Sequence, residues 1–141
     1  MIEEVNLHII KMFYSAFRRD DLVSMLDAVA DEVEWFALGP TSLIPTAGWR
    51  HGREEVGHYF ATLKQVEDLQ MFEPREFIAE GDKVVAIGES RSCVRVNEQA
   101  INTPWVHVFT FSRARIVRFR SFYDTAAAAA AFSTAIQPAV A

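Results

Sequence analysis

The residue best placed for acid–base chemistry is His107, in the middle of the run WVHVFTF at residues 105–111. Alternation with a period of two places Trp105, His107, Phe109 and Phe111 on one face of a strand. An imidazole titrates near neutral pH, so modest burial can tune it for proton transfer. A lone histidine on an aromatic face is either a core residue with a satisfied ring or the acid–base group of a pocket, and the sequence leaves both readings open.

Two other polar side chains also have two readings each. Arg91 shares a strand with Glu89 and Cys93. Pointing inward, it would anchor an anionic or carbonyl oxygen of a ligand; pointing outward, it would be solvated. Asp124 precedes an alanine-rich segment, which favours a helix cap first and a catalytic acid second. Cys93 has no helix start or base near it and is expected to be an inert thiol.

Aromatic residues are spread along the chain, with 11 phenylalanines among 141 residues. Any single one is best interpreted as core packing, but together they indicate an apolar chamber that binds a ligand. The residues expected to line this chamber are Trp35, Tyr59, Trp105, Phe109 and Tyr123. Trp49 lies in a long loop, and we expect it to act as a lid residue.

Several classes of chemistry are not indicated. The histidines are His8, His51, His58 and His107, and their spacing does not fit a metal site. The sequence has neither a phosphate loop nor a dinucleotide fingerprint. We therefore expect no metal and no cofactor.

Length and charge narrow the class of protein further. A chain of 141 residues fits one domain, and its net charge of −5 argues against nucleic-acid binding through a basic field. Four arginines within residues 113–120 are expected on a solvated strand face or at a subunit contact. The sequence contains no run of 18 apolar residues, so no membrane span is predicted, and the single cysteine allows no intrachain disulfide. We expect a cytoplasmic protein.

Hydrophobic spacing predicts three helices in the first half of the chain. The first spans residues 3–18, the second begins at Asp20-Asp21, and Gly52 opens the third. The stripe expected to be buried on the first helix comprises Val5, Ile9, Met12, Phe13, Ala16 and Phe17. Between the second and third helices lie a strand at 33–38 and a loop at 39–52.

The second half reads as strands joined by short turns, at residues 71–80, 83–96, 100–112 and 115–123. This pattern predicts an antiparallel meander, followed by a helix over 125–137 that contains an alanine run. Helices gathered before such a sheet give an α+β fold: a cone-shaped, curved sheet packed on three helices. Three short helices cannot fill a strongly curved sheet, so its open end should leave a cavity.

In order and spacing, these segments resemble the nuclear transport factor 2-like superfamily and, within it, the SnoaL-like, polyketide cyclase-like group. The motifs are FYxAFxxxDL at 13–22, VEW at 33–35, AGWxxGRE at 47–54, WVHVFTF at 105–111 and IVRFRxxYD at 116–124. The resemblance covers roughly residues 4–124 of a single domain over 1–141. This fold hosts isomerases, cyclases, dehydratases, epoxide hydrolases and non-enzymes, so the resemblance does not fix an activity.

The resemblance carries over to individual residues only in part. In ketosteroid isomerase-like members the strand position of His107 holds an oxyanion-hole acid, which implies that His107 faces the cavity. Their tyrosine donor falls at Phe13; Tyr14, about 100° further around the helix, is expected to point elsewhere. Trp35 stands where their catalytic base would be, which disfavours steroid isomerisation.

Two other enzyme groups of this fold also have catalytic residues that this sequence lacks. The Asp-Arg-Asp set of limonene epoxide hydrolase-like members places its arginine at Arg91 but its aspartates near Cys93 and Ser121. Ser121 also matches the last-strand carboxylate of polyketide cyclases. We therefore expect Ser121 to line the pocket without acting as an acid or base.

The sequence thus predicts a pocket for a small, cyclic, largely apolar molecule. In a catalytic version His107 would move a proton in a cofactor-free isomerisation, cyclisation or dehydration. The alternative is a non-catalytic ligand-binding or protein-interaction module. Because this fold often pairs through the outer face of its sheet, we expect a homodimer.

Overall fold

The computed structural model describes residues 1–136 as helices packed on a six-stranded sheet. The helices are α1 (Ile2–Arg18), α2 (Leu22–Asp27), α3 (Gly52–Val66) and α4 (Thr125–Ile136). The strands are β1 (Val29–Ala37), β2 (Gly48–His51), β3 (Glu67–Glu80), β4 (Lys83–Val94), β5 (Ala100–Ser112) and β6 (Arg115–Tyr123). The predicted α+β class is confirmed. Residue 137, the predicted end of the last helix, lies outside the described residues.

The strands lie in the order β2-β1-β6-β5-β4-β3. Strands β3 to β6 form the predicted antiparallel meander. β1 joins β6 in parallel, with Trp35 opposite Phe119 and Ala37 opposite Ser121. The sheet is therefore mixed at this one junction, and β2, which the sequence pattern placed inside a loop, forms an antiparallel edge beside β1.

Irregularities in strand pairing bend the sheet around its helices. The register shifts between Leu69 and Met71, between Pro74 and Glu76, and between Thr110 and Phe111. Extra residues of this kind increase the local twist and bend a strand. α1 packs against β3 and β4, α3 against β1, and α4 against β5 and β4.

The buried face of α1 differs from the predicted stripe. Val5 and Met12 are 50% and 54% exposed, whereas Asn6, Ile10 and Tyr14 are buried. Residues four apart share a helix face, so the stripe through Asn6, Ile10 and Tyr14 is the one that the sheet covers. This rotation brings Tyr14 inside the domain, which corrects the expectation that its side chain points elsewhere.

The passage from α3 to β3 has no connecting loop. Glu67 is both the cap of α3 and the first residue of β3, with extended dihedral angles (φ −125°, ψ 139°). The sequence pattern placed the start of this strand at residue 71. The earlier start matters because it makes Glu67 a strand residue, paired with Val94, rather than part of a solvated turn.

Gly88, in the centre of β4, is required by the packing on both sides of its strand. It pairs with Pro74 on β3 and with Trp105 on β5. A Cβ atom at this position would lie within 3.0 Å of the Glu73 carbonyl oxygen and of the Trp105 ring. Only glycine lets β3 and the indole approach this closely.

We predict that Gly88→Ala lowers the free energy of unfolding by about 1–3 kcal/mol, because backbone or indole must move to admit the methyl group. The control is Gly57→Ala in α3, whose Cβ would lie 3.6 Å from Leu26, an ordinary contact. Alanine favours a helix, so this variant should be neutral or stabilised. Urea unfolding checks both, and equal stabilities for the two variants would contradict the role of Gly88.

Candidate functional site

A cavity of about 130 Å³ lies between the concave face of the sheet and the helices. An engineered apolar cavity of about 150 Å³ binds benzene, so this space suits a molecule of about one ring. The aromatic residues lining it are Phe13, Tyr14, Phe17, Trp35, Tyr59, Phe60, Phe72, Trp105, Phe119, Tyr123 and Phe132. The polar residues lining it are Thr46, Glu67, Ser90, Ser92, Thr103, His107 and Ser121.

His107 lines this cavity from the middle of β5, as its resemblance to the corresponding position of ketosteroid isomerase-like members implied. Its ring stacks on Trp105, with centroids 4.1 Å apart, and meets the edge of Phe119 at 4.9 Å. Ser121 on β6 and Ala86 on β4 flank it across the sheet. The imidazole is therefore held in a fixed plane by aromatic neighbours.

Tyr14 hydrogen-bonds to His107, with 2.8 Å between Tyr14 Oη and His107 Nδ1. The bond joins α1 to β5 across 93 residues of sequence. A polar group within hydrogen-bond reach of His107 inside a cavity is what distinguishes an acid–base site from a histidine bonded only to backbone. The sequence reasoning missed Tyr14 because it centred the buried face of α1 on other residues.

Burial fixes the protonation states of this pair. Loss of hydration lowers the pKa of His107 to about 3 and raises the pKa of Tyr14 well above its ordinary value. Both groups are therefore neutral at neutral pH. A neutral imidazole has one donor and one acceptor nitrogen, so Tyr14 uses Nδ1 and leaves Nε2 for another partner.

A second polar pair lies elsewhere in the cavity wall. Ser92 Oγ donates to Glu67 Oε1 at 2.7 Å, and both residues line the cavity. Burial raises the pKa of Glu67, while the hydrogen bond from Ser92 opposes that shift. No sequence pattern pointed to Glu67, because its position depends on the direct passage from α3 to β3.

Two indole groups in the wall lack hydrogen-bond acceptors. Trp35 and Trp105 are 1% and 4% exposed, and their Nε1 atoms have no partner within residues 1–136. Trp35 stacks on Phe119 with centroids 3.9 Å apart, and Trp105 stacks on Phe72 at 4.8 Å. The wall therefore contains donors fixed by stacking.

Of four other residues predicted to line the cavity, three do so. Tyr59, Ser121 and Tyr123 line the cavity as expected. Burial raises the pKa of Tyr123 to about 12 and that of Tyr59 further, so both remain neutral phenols. Phe109 does not line it: the ring is fully buried in the core, 5.9 Å from Phe13 between centroids.

Two polar residues for which the sequence left two readings open, Arg91 and Asp124, lie outside the cavity. Arg91 is exposed because Ser90 and Ser92, its neighbours on β4, take the inward positions. Asp124 is exposed and caps α4, accepting from the Ala127 backbone N–H at 3.0 Å. It therefore has the structural role rather than that of a catalytic acid.

The expectation that Trp49 acts as a lid over the cavity is wrong. It belongs to β2, is 49% exposed, and packs on Phe36 with centroids 4.7 Å apart. The residue that orders the loop toward the cavity is Arg50, which donates to the carbonyl oxygens of Pro45 (3.1 Å), Thr46 and Ala47 (3.2 Å). These hydrogen bonds from Arg50 hold Thr46 in the cavity wall.

Among residues 1–136, no three His, Cys, Asp or Glu side chains converge as metal ligands. No helix in the same range is long and apolar enough to cross a membrane.

Comparison with known proteins identifies the family. The SnoaL-like domain family matches residues 10–119. A search of curated proteins returns no match. An NTF2-like protein from Burkholderia xenovorans LB400 is 26% identical with a TM-score of 0.84, covering 92% of this chain and 97% of that one.

Two other solved structures share the fold. An NTF2-like protein of unknown function from Burkholderia pseudomallei K96243 is 29% identical with a TM-score of 0.84, covering 92% of this chain and 98% of that one. A candidate polyketide cyclase from Xanthomonas campestris pv. campestris is 18% identical with a TM-score of 0.74, covering 94% and 99%. The fold, the order of its elements and the family match agree, and the chain belongs to the SnoaL-like domain family.

Proposed function

We propose that the protein binds a small, cyclic, largely apolar molecule and transfers a proton to or from it without a cofactor, in an isomerisation, cyclisation or dehydration. The observation that carries this proposal is the 2.8 Å hydrogen bond between Tyr14 and His107 in an aromatic cavity. Aromatic walls with a few fixed polar groups are typical of small-molecule sites. The proposal includes a cytoplasmic location.

Tyr14 lets His107 work in either direction. When the Tyr14 hydroxyl donates to Nδ1, the imidazole proton lies on Nε2 and can be donated in a hydrogen bond to a ligand oxygen. When Nδ1–H donates to Tyr14, Nε2 presents a lone pair and can accept a proton. Because a hydroxyl both donates and accepts, neither tautomer loses its hydrogen bond.

The low pKa of His107 favours the donor role at neutral pH. A neutral imidazole polarises a carbonyl oxygen by donating a hydrogen bond, and the negative charge that develops on that oxygen is stabilised in a site with little water. A ligand with a ring carbonyl or hydroxyl oxygen fits this role, because its ring can pack on Trp105 or Phe119 while its oxygen meets Nε2.

The outer face of the sheet supports the homodimer as a further part of the proposal. Strand pairing places Trp49, Phe36, Arg120, Val108 and Val85 in one row across this face. Trp49 is 49% exposed, and the rest of the row is partly buried. An exposed indole at the end of a row rich in apolar side chains is suited to a symmetric contact with a second copy.

We predict that His107→Ala slows catalysed proton transfer by about 100-fold or more, since a positioned acid or base contributes that much. The probe is 2-cyclohexenone in deuterated water, with NMR following exchange of its carbon-bound protons. Tyr14→Phe should cause a smaller loss, because His107 remains but its tautomer is no longer held. His58→Ala, at an exposed histidine of α3, should match the wild type. Undiminished exchange in His107→Ala would reject the role.

The buried imidazole also predicts how stability depends on pH. The unfolded chain takes up the histidine proton near pH 6.5, whereas the folded chain does so only near pH 3. The stability contribution is thus complete above pH 6.5 and is lost as the pH falls, by about 2 kcal/mol between pH 6.5 and 5. Glu67, whose folded-state pKa is raised, acts in the opposite direction, because the folded chain takes up its proton before the unfolded chain does as the pH falls.

Urea unfolding of the wild type and His107→Gln at both pH values measures this contribution. Glutamine cannot titrate, so the variant should lose less stability on acidification, and His58→Gln should behave like the wild type. Identical pH dependence of the wild type and His107→Gln would contradict a buried, neutral His107.

For the dimer, we expect light scattering at micromolar concentration to give twice the chain mass of 16.0 kDa. Trp49→Glu should shift the mass to that of one chain, because a charge would be buried at the contact. Val23→Glu, at an exposed position of α2, should leave the dimer intact. A wild-type mass near 16.0 kDa would end the dimer proposal.

A further inference from the structure

We propose that Glu67 and Ser92 form a subsite that binds a protonated amine on the ligand, at a different end of the cavity from His107. This inference rests on the proposed function, because it assumes that the cavity takes a small molecule. The chemical class that it adds is a ring carrying an ammonium group, or another strong hydrogen-bond donor, a short distance from the ring.

Strand register separates the two polar pairs. His107 pairs with Ala86 on β4, whereas Ser92 pairs with Ile101 on β5. Six residues along β4 separate Ala86 from Ser92, which corresponds to about 20 Å of strand. Glu67 and His107 therefore face different parts of the cavity.

The charges in the wall leave Glu67 without a counter-ion. Among the cavity-lining residues within 1–136, Glu67 is the only acidic side chain, and none is Lys or Arg. Ser92 supplies one hydrogen bond to Oε1, and this donor is a neutral hydroxyl. A partly buried carboxylate is destabilised unless it is paired, so a cation from the ligand would supply the missing interaction.

Aromatic rings at this end favour an organic cation over a neutral donor. Burial is the largest cause of the raised pKa of Tyr59 and of Tyr123; the Glu67 carboxyl group raises the pKa of both further, after Tyr123 in the case of Tyr59, which places it near their hydroxyls. The Arg50 guanidinium already lies 5.1 Å from the centroid of the Tyr59 ring. Tyrosine faces attract ammonium groups, so the ring of Tyr123 and the carboxyl group of Glu67 favour the same kind of ligand.

The absence of a basic side chain in the cavity wall also disfavours anionic ligands. A carboxylate or phosphate on a ligand would meet Glu67 with no basic side chain of the wall to offset the repulsion. The net charge of −5 attracts cations toward the protein at long range and repels anions.

Three molecules of similar shape test the subsite: benzylamine (cationic), benzyl alcohol (neutral) and benzoate (anionic), each at neutral pH. Binding is followed by tryptophan fluorescence, because Trp35 and Trp105 line the cavity. We expect benzylamine to bind the wild type about tenfold or more tightly than benzyl alcohol, as a charge-assisted hydrogen bond replaces a neutral one. Benzoate should bind most weakly.

Glu67→Gln keeps the shape of the side chain and an acceptor for Ser92 but removes the charge. This variant should lose the preference for benzylamine by about tenfold while binding benzyl alcohol as before. The matched control is Glu80→Gln, at an exposed glutamate of β3, which should leave all three affinities unchanged.

The outcomes separate this inference from the proposed function. Equal binding of benzylamine and benzyl alcohol, or an unchanged preference in Glu67→Gln, overturns the amine subsite and leaves proton transfer at His107 standing. Tighter binding of benzoate also overturns it and indicates a protonated Glu67. Failure of all three molecules to bind contradicts the cavity itself as a ring-binding site, and therefore both proposals.

Discussion

The site depends on keeping an uncharged imidazole in an aromatic hollow, where an unpaired ring nitrogen would be costly. Tyr14, on a helix, supplies the hydrogen bond that this ring nitrogen needs, while His107 lies on a strand far along the chain. The hydrogen bond therefore forms only when α1 is correctly packed over β5. The stacking of His107 on Trp105 sets the plane of the ring. Curvature of the sheet, the burial of α1 and the position of Trp105 against Gly88 all serve this contact.

The cavity has two polar ends with different electrostatics. Around His107 the pair is neutral, because desolvation suppresses charge on both the imidazole and the phenol. Around Glu67 burial raises the pKa of the carboxyl group, the hydrogen bond from Ser92 opposes that shift, and no lysine or arginine lines the cavity within residues 1–136. One fold thus places a neutral donor and an acidic group in the same hollow, and burial lowers the pKa of the imidazole while it raises that of the carboxyl group.

The sequence predicted the α+β class and the meander, because period-two alternation and turn residues are local signals, and the family resemblance implied that His107 faces the cavity. It did not predict Tyr14 or Glu67. The buried stripe of α1 is chosen by the sheet, and a helix with apolar residues such as Val5 and Met12 on more than one side does not reveal which face that is. Glu67 is visible only once α3 is known to run directly into β3. The direction of Arg91 stayed open because the sequence does not say which residues of β4 face inward, and the structure gives those positions to Ser90 and Ser92.

The polar groups of the cavity wall, among them Ser90, Ser121 and Nε2 of His107, have a consequence for hydration. Polar groups in a cavity hydrogen-bond to ordered water when no ligand is present. A hydrocarbon that displaces such water leaves these groups without partners, at a cost of about 1–3 kcal/mol each, whereas an oxygenated ring replaces the lost hydrogen bonds. Dehydration of the hollow therefore discriminates against pure hydrocarbons before any acid–base group acts.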